Sequence, residues 1–220
     1  MPSNIKYIIG SDVLIDHAAV AWREVEPDTE IRILQLKQNT SYQFDFSALD
    51  NISMENVSAF SVFDAQFLNF RRYELMGELK SRGFKMPPLI CKGALVANTA
   101  VVAENVMIGP LAIIGHHCKI GFNSVIGAGA NIGNGTKIGH SAWIEAGIII
   151  GQNASIGANT TLGLGVMIAN DIEIGKLSII DQPGKISHSI PAKTFIHSEF
   201  DEPIVVFENQ SRHLKSTSSS

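Results

Sequence analysis

The chain has 220 residues, of which 17% are charged, and its formal net charge at pH 7 is −4. This length accommodates one domain or a small domain beside a larger one, and the acidic balance argues against a nucleic-acid partner held by charge alone. No apolar stretch reaches the roughly 18 residues of a membrane-spanning helix, the N-terminus lacks a secretory signal and the two cysteines make no disulfide framework, so a cytoplasmic protein is expected.

Residues 1–90 show the alternating pattern of a small α/β domain. Apolar runs predict strands and amphipathic spacing predicts helices, in the order strand 6–10, helix 16–25, strand 30–36, strand 57–63 and helix 66–82. This order indicates a Rossmann-like arrangement with helices packed on a small sheet. The apolar residues of the second helix are candidates for its core: Phe67, Phe70, Leu75, Met76 and Leu79.

Residues 91–181 carry a repeat with a period of six. An aliphatic residue recurs without interruption at Val96, Val102, Ile108, Ile114, Ile120, Ile126, Ile132, Ile138, Ile144, Ile150, Ile156, Leu162, Ile168, Ile174 and Ile180. The next position is usually glycine, and the fourth position after the aliphatic residue is small. Because a helix needs spacing near 3.6 residues, the repeat predicts a β-solenoid with stacked aliphatic residues inside. Glycine is expected at the turns because it reaches backbone angles that a Cβ disfavours.

Residues 182–220 lack the repeat and are expected to form a C-terminal extension. Within it, residues 200–207 are expected to add a strand that packs back on the solenoid. The polar end at 216–220 is expected to be disordered.

The six-residue repeat resembles that of left-handed parallel β-helix proteins, in which three hexapeptides form one triangular coil. Fifteen repeats then imply five coils, and a strand spacing of roughly 4.8 Å gives a prism about 24 Å long. With the preceding α/β domain, the chain resembles the sugar O- and N-acyltransferases. That family includes the nucleotide-amino-sugar N-acetyltransferases of the bacillosamine pathway and the sialic acid O-acetyltransferases.

The resemblance implies a homotrimeric transferase that uses acetyl-CoA to acetylate an amino sugar, carried on a nucleotide, for surface glycan synthesis. The alternative is a non-catalytic hexapeptide-repeat protein used for assembly or ligand binding. Zinc carbonic anhydrases share the fold, but their two histidines separated by four residues are not reproduced here. No metal is therefore expected.

Acetyl transfer to an amine or hydroxyl requires a group that removes the proton of the nucleophile, and histidine has a suitable pKa. The segment 114–121 resembles the family segment that holds the catalytic histidine, which implies His116 as the general base and His117 as the neighbouring candidate. One coil later the same phase is occupied by Asn134. Which of the two levels corresponds to the family position stays open.

The resemblance also implies the residues that hold the substrate. The first strand runs into a loop with Gly10 and Ser11, which correspond to the family loop around the nucleotide sugar, and Asp64 stands at the opposite lip of that pocket. Arg71 and Arg72 follow, and either is long enough to reach a phosphate. A purely structural turn at Gly10 is the alternative.

The 18-residue coil predicts that outward residues form columns. The three columns are Asn98, His116, Asn134, Gln152 and Asn170; Pro110, Ala128, Ala146 and Leu164; and Phe122, His140, Ala158 and Lys176. The second column is apolar and suits either a neighbouring subunit or the pantetheine arm of coenzyme A, which gives Ala146 and Leu164 as coenzyme contacts. Lys193, in a segment that resembles the Val-Pro-Ala-Lys closure of acyltransferase β-helices, is the candidate contact for the nucleotide end. Glu145 is either a partner for a histidine across an interface or an ordinary corner residue.

Overall fold

The computed structural model describes residues 4–11 and 14–206. The predicted disorder at 216–220 and the last residue of the predicted strand 200–207 lie outside the described residues. Among the described helices, none is long and apolar enough to cross a membrane.

The N-terminal part is a three-stranded parallel sheet with a helix on each side. Its elements are β1 (Ile5–Gly10), α1 (Leu14–Val25), β2 (Glu30–Gln35), β3 (Val57–Val62) and α2 (Phe70–Ser81), with 3-10 turns at Ser47–Leu49 and Phe67–Asn69. The strand order is β2-β1-β3, so β1 is central. Ile8 packs with the α1 side and Ile9 with the α2 side, and both are fully buried. The predicted order of elements is thus present.

The start of α2 differs from the prediction. The backbone of Phe67–Asn69 is left-handed, with φ angles of 52°, 52° and 61°, so the helix begins at Phe70 and not at residue 66. Phe67 and Phe70 were expected in the core, but each is 49% exposed because this turn points them away from the sheet. The other three predicted core residues are buried: Leu75, Met76 and Leu79.

The rest of the described chain is a parallel β-helix of very short strands. They are β4 (Leu89–Ile90), β5 (Leu95–Val96), β6 (Val101–Val102), β7 (Met107–Ile108), β8 (Ile113–Ile114), β9 (Lys119–Ile120), β10 (Val125–Ile126), β11 (Asn131–Ile132), β12 (Lys137–Ile138), β13 (Trp143–Ile144), β14 (Ile149–Ile150), β15 (Ser155–Ile156), β16 (Thr161–Leu162), β17 (Val166–Ile168), β18 (Glu173–Ile174), β19 (Ile179–Asp181), β20 (Gly184–Ile186), β21 (Thr194–His197) and β22 (Ile204–Val205).

These strands form three sheets, which are the faces of a triangular prism. Face 1 holds β4, β7, β10, β13, β16, β19 and β21, with β22 antiparallel at its end; face 2 holds β5, β8, β11, β14, β17 and β20; face 3 holds β6, β9, β12, β15 and β18. Because β4 already pairs with β7 and β17 pairs with β20, stacking starts before residue 91 and continues past Asp181. Face 2 therefore has six strands, and the prediction of five coils is one coil short.

The interior of the prism follows the six-residue repeat. Each aliphatic residue lies over its counterpart 18 residues away, as Ile108 does over Ile126 and Ile126 over Ile144. From Ile108 to Ile180 these side chains are at most 3% exposed, whereas Val96 and Val102 of the first coil are half-buried. The small residues such as Ala112 and Ala130 are fully buried. The core is thus a stack of identical layers, as predicted.

The corner glycines serve a different purpose from the one expected. The left-handed backbone falls two residues later, at His117 and Asn123 for example. At the glycine itself the next coil is too close for a side chain, since a Cβ on Gly127 would lie 2.5 Å from the backbone nitrogen of Ala146. Close approach of adjacent coils, and not backbone angle, therefore requires glycine there.

The α/β domain is attached to the prism where face 3 meets face 1. Buried side chains form a polar ladder there, in which the Asn105 amide bonds Ser61 of β3 on one side and Asn123 on the other, at 2.6–2.8 Å. Asn123 in turn donates to the Ser141 hydroxyl at 2.9 Å. The side chains of the repeat therefore fix the position of the α/β domain as well as the stacking of the coils.

Replacing Gly127 with alanine is expected to lower the free energy of unfolding by about 1–3 kcal/mol, because backbone atoms of the next coil cannot make way for the Cβ. The matched control is Gly77→Ala in α2, where nothing lies within 4 Å of the new Cβ. That change should stabilise the protein by roughly 0.5–1 kcal/mol through helix propensity. Chemical denaturation of both variants measures the contrast, and equal stability of the two would contradict this account of the corners.

Candidate active site

A cavity of about 140 Å³ lies between the α/β domain and face 1. Leu14, His17 and Phe63 line it from the α/β domain, and Met107 and Val125 line it from the outward side of face 1. In a parallel sheet of order β2-β1-β3, the connections diverge to opposite sides at the carboxyl ends of β1 and β3, where such folds bind their ligands. The cavity lies at that point.

Arg72 brings a charged group to this cavity. It comes from the first turn of α2, is only 2% exposed, and donates from Nη2 to the carbonyl oxygen of Ala142 at 3.3 Å. Its Nε and Nη1 have no hydrogen-bond partner among the described residues. Burial lowers the pKa of Arg72 to about 9, and the charge of Asp64 acts in the opposite direction. At neutral pH the guanidinium is therefore still a cation.

The indole of Trp143 forms the wall of the cavity on the prism side. The Arg72 guanidinium lies 5.1 Å from its ring centroid, within cation–π range. The Trp143 Nε1 donates to Glu145 at 2.7 Å, so Glu145 fixes the ring from the adjacent corner. Trp143, Met107 and Val125 were not among the predicted site residues. Their positions in the sequence could have indicated a shared surface, since the three residues occupy one outward column at 18-residue spacing.

The three predicted substrate residues, Gly10, Ser11 and Asp64, lie near this cavity, and each has a different structural role. A Cβ on Gly10 would collide with the carbonyl oxygen of Val62, so close packing of β1 against β3 alone requires glycine there. Ser11 follows directly at the carboxyl end of β1. Asp64 follows β3 and accepts the backbone N–H of Gln66 at 3.0 Å. The structure thus brings Ser11, Asp64 and Arg72 to one edge of the sheet.

The predicted catalytic histidines lie elsewhere in the chain. His116 and His117 are exposed in the corner between faces 2 and 3, which is the one corner that does not border face 1. His116 Nδ1 is 3.0 Å from the Thr99 hydroxyl, and the Thr99 oxygen also accepts the backbone N–H of His117 at 3.0 Å. The Asn134 amide oxygen accepts the backbone N–H of His116 at 2.7 Å. His116 and Asn134 of the predicted polar column therefore stack on each other. Thr99 orients the His116 ring.

The three predicted coenzyme contacts occupy two different corners. Ala146 and Leu164 are exposed in one column where face 1 meets face 2, next to the apolar outward residues of face 2. Lys193 lies where face 3 meets face 1, with its backbone N–H donating to the carbonyl of Lys176. One chain alone does not bring the three together.

His140 is held between the prism and the α/β domain. Its ring stacks on Phe122 with centroids 4.8 Å apart and planes 3° from parallel, and Tyr73 of α2 lies 5.6 Å away. Its Nδ1 is buried without a hydrogen-bond partner among the described residues. Burial lowers the pKa of His140. His140 is therefore a neutral packing residue of the domain interface.

Comparison of the sequence with known families finds the hexapeptide repeat. Residues 99–134 match the family model described as bacterial transferase hexapeptide (six repeats). No curated protein sequence matches the chain significantly. The match therefore identifies hexapeptide repeats within the stacked coils of the β-helix.

Solved structures share this whole arrangement. A His-to-Asn variant of perosamine N-acetyltransferase from Caulobacter crescentus, in complex with CoA and GDP-perosamine, has a TM-score of 0.79 and 18% identity, covering 94% of this chain and 99% of that chain. The acetyltransferase domain of PglB from Neisseria gonorrhoeae, in complex with acetyl coenzyme A, has a TM-score of 0.78 and 17% identity, covering 92% and 100%. WeeI from Acinetobacter baumannii has a TM-score of 0.63 and 13% identity, covering 91% and 99%. The predicted left-handed β-helix with an α/β domain is confirmed.

Acid is expected to destabilise the interface around His140. Since its pKa is lowered by folding, the unfolded state binds the proton more readily, and stability is lost as pH falls below the unfolded value of about 6.5. His140→Phe keeps a ring against Phe122 and cannot take up a proton. The drop in Tm between about pH 7.5 and about pH 5.5 should therefore be smaller in this variant than in the parent. His188→Phe, at an exposed position, is the control and should leave the drop unchanged.

Proposed function

We propose that the protein transfers an acetyl group from acetyl-CoA to the amino group of a nucleotide-linked amino sugar, for surface glycan synthesis. The observation that carries this proposal is the pairing of a ligand cavity at the sheet edge with an uninterrupted hexapeptide β-helix. The fold is shared over nearly the full length of a perosamine N-acetyltransferase in complex with CoA and GDP-perosamine. No metal is required for this chemistry.

In this proposal the two domains have separate tasks. The α/β domain binds the sugar nucleotide through the cavity that contains Arg72, with Ser11 and Asp64 at its rim. The β-helix binds the coenzyme, with its pantetheine arm along the exposed apolar strip that includes Ala146 and Leu164. Lys193 contacts the nucleotide end of the coenzyme where two copies form the groove together.

His116 is the proposed general base. In the tautomer in which Nδ1–H donates to the Thr99 hydroxyl, Nε2 is unprotonated and can accept a proton. The sugar amine attacks the thioester carbonyl, Nε2 accepts the amine proton, and the C–S bond breaks to release the coenzyme A thiolate, which recovers the proton. His117 has a left-handed backbone at the same corner and is the neighbouring candidate.

Self-association is part of the proposal, because His116 and the cavity lie on opposite sides of one prism. The outward residues of face 2 are mostly large, apolar and 41–64% exposed: Leu95, Ile113, Ile149 and Met167. The corresponding residues of face 3 are mostly polar, including Lys119, Lys137 and Glu173. Face 1 is covered by the chain's own α/β domain, so face 2 is the proposed surface between the copies of a homotrimer.

A second function has one observation in its favour. Asn134 occupies the outward position one coil beyond His116, and its amide oxygen is engaged by the His116 backbone. If Asn134 and not His116 occupies the catalytic position, an amide stands in place of the base, and the protein binds a ligand without transferring an acetyl group.

Acetyl transfer to a panel of UDP- and GDP-linked amino sugars tests the two functions. The parent protein is expected to turn over, and His116→Ala should lower kcat by about a hundredfold or more while acetyl-CoA binding is unchanged. His188→Ala, an exposed histidine far along the chain, is the control and should keep the parental rate. A parental rate in His116→Ala would rule out this base, and no acetyl-CoA binding at millimolar concentration would rule out the transferase.

Ile149→Glu is expected to break the proposed trimer, since it places a charge in the apolar surface of face 2. Sedimentation should then give the 23.8 kDa chain mass and not three times that value. Lys137→Glu on face 3 is the matched control and should leave the assembly intact. A monomeric parent protein, or dissociation by the control alone, would contradict the assignment of face 2.

A further inference from the structure

The strand β2 forms one edge of the α/β sheet, and no other described strand pairs with its outer side. Residues of even number in and next to β2 bond to β1, as the N–H of Leu36 does when it donates to the carbonyl of Gly10 at 2.7 Å. Because the bonding residues alternate along a parallel pair, the N–H and C=O groups of Ile31, Ile33 and Gln35 point away from the sheet. No other backbone group among the described residues bonds them.

The opposite edge of the same sheet is covered by the chain itself. The carbonyl of Lys85 accepts the outward N–H of Ala59 at 2.9 Å, and the Asn105 side chain accepts the outward N–H of Ser61 at 2.8 Å. Asn105 also donates to the Ser61 carbonyl at 3.2 Å. Soluble proteins block exposed strand edges because such edges recruit further strands. The contrast between the two edges therefore marks β2 as a place for another strand.

The features that block a strand edge are missing from β2. Its register with β1 runs unbroken from Glu30 to Gln35, without a bulge or a proline. Arg32 is its only cation and is turned back over the sheet, where it pairs with Glu30 at 2.7 Å and donates to the Tyr7 hydroxyl at 3.2 Å. Ile33 is 42% exposed. The doubly wound order 3-2-1-4 has a further strand at this position, and the described part of this chain supplies none.

We propose that β2 joins the α/β domains of two copies of the chain, which pair antiparallel about a two-fold axis at Ile33. Ile33 then lies opposite Ile33 of the second copy, and Ile31 lies opposite Gln35. Every outward N–H meets an outward C=O, since all three residues have the same orientation in the strand. The two sheets become one continuous sheet, closed by the two-fold axis. This contact does not depend on acetyl transfer.

The charges at the two ends of β2 favour the antiparallel arrangement. The amino end carries the exposed carboxylates of Asp28 and Glu30, and the exposed Lys37 follows the carboxyl end. Pairing about Ile33 places Lys37 of one copy opposite Thr29 of the other, between those two acids. Opposite charges across neighbouring strands are stabilising, and like charges are destabilising. A parallel pairing would instead place the acids of the two copies side by side.

One such contact is small, and its size decides when it forms. A single pair of short strands buries less than the roughly 1,200 Å² of a stable interface, so isolated chains associate weakly. Ile149→Glu is therefore still expected to sediment at the mass of one chain. A trimer carries three β2 edges and can use more than one at once, which strengthens its association. The mass of the parent protein should thus rise above that of the trimer with increasing concentration.

Disulfide cross-linking of the full chain tests the pairing and its register. Ile33→Cys should join two copies on oxidation, because the Cα atoms of a hydrogen-bonded antiparallel pair lie about 5.5 Å apart, which a disulfide spans. Ile31→Cys should not cross-link to itself, but it should cross-link when mixed with Gln35→Cys. Val20→Cys, at a position on α1 that is 53% exposed, is the control and should stay single. The two native cysteines are buried and do not compete.

Sedimentation of a charged variant completes the test. Ile33→Lys should abolish the rise in mass with concentration and keep the parental Tm, whereas Val20→Lys should leave the rise intact. Cross-linking of Ile33→Cys no stronger than that of Val20→Cys would overturn the pairing, and so would a rise in mass that Ile33→Lys does not change. Self-cross-linking by Ile31→Cys would overturn the axis at Ile33. Cross-linking requires no trimer, so failure of the trimer leaves this result decisive.

Discussion

The structure depends on the contact between one coil and the next, 18 residues later. The aliphatic residue of each layer packs on its counterpart, and the corner glycine lets the following backbone approach so closely that a Cβ on Gly121 would lie 2.5 Å from the nitrogen of His140. A side chain at one of these glycines would collide with the backbone of the following coil. The rigid register is what allows single residues far apart in sequence, such as Met107, Val125 and Trp143, to form one wall.

That regularity also explains where the functional features are concentrated. The prism has no inserted loop among its described coils, and the cavity that contains Arg72 forms where the α/β domain covers face 1. The same junction holds the left-handed turn Phe67–Asn69, whose Leu68 carbonyl is bound by Asn159 of the prism at 2.9 Å. Consecutive left-handed residues without glycine are strained and persist when the surroundings hold them. The prism thus holds the turn that starts α2 and directs Arg72 into the cavity.

The sequence predicts most of the fold and a smaller part of the site. The period of six places every stacked residue from Val96 to Ile180 in or next to the core, because spacing alone distinguishes inward from outward positions. The left-handed turn was missed because Phe67 and Leu68 do not favour a left-handed backbone, and Asn69 alone does not predict three such residues in a row. Contacts such as that of Asn159 stabilise the turn from outside. The burial of Arg72 was missed for a similar reason. Helix arginines are usually solvated, and only the packing of α2 on face 1 closes this one off.

The placement of His116 follows from the same geometry and limits any mechanism. In a triangular prism, the corner between faces 2 and 3 lies opposite face 1, so the thickness of the prism separates His116 from the cavity of its own chain. If the substrate binds in the cavity of the α/β domain, such a base reaches it only from a second copy of the chain. The apolar outward residues of face 2 border that corner, so a contact between copies through Ile113 and Ile149 brings His116 to the interface. If acetyl transfer is the reaction, catalysis requires assembly of the copies. Loss of the interface must then remove activity even where each chain remains folded.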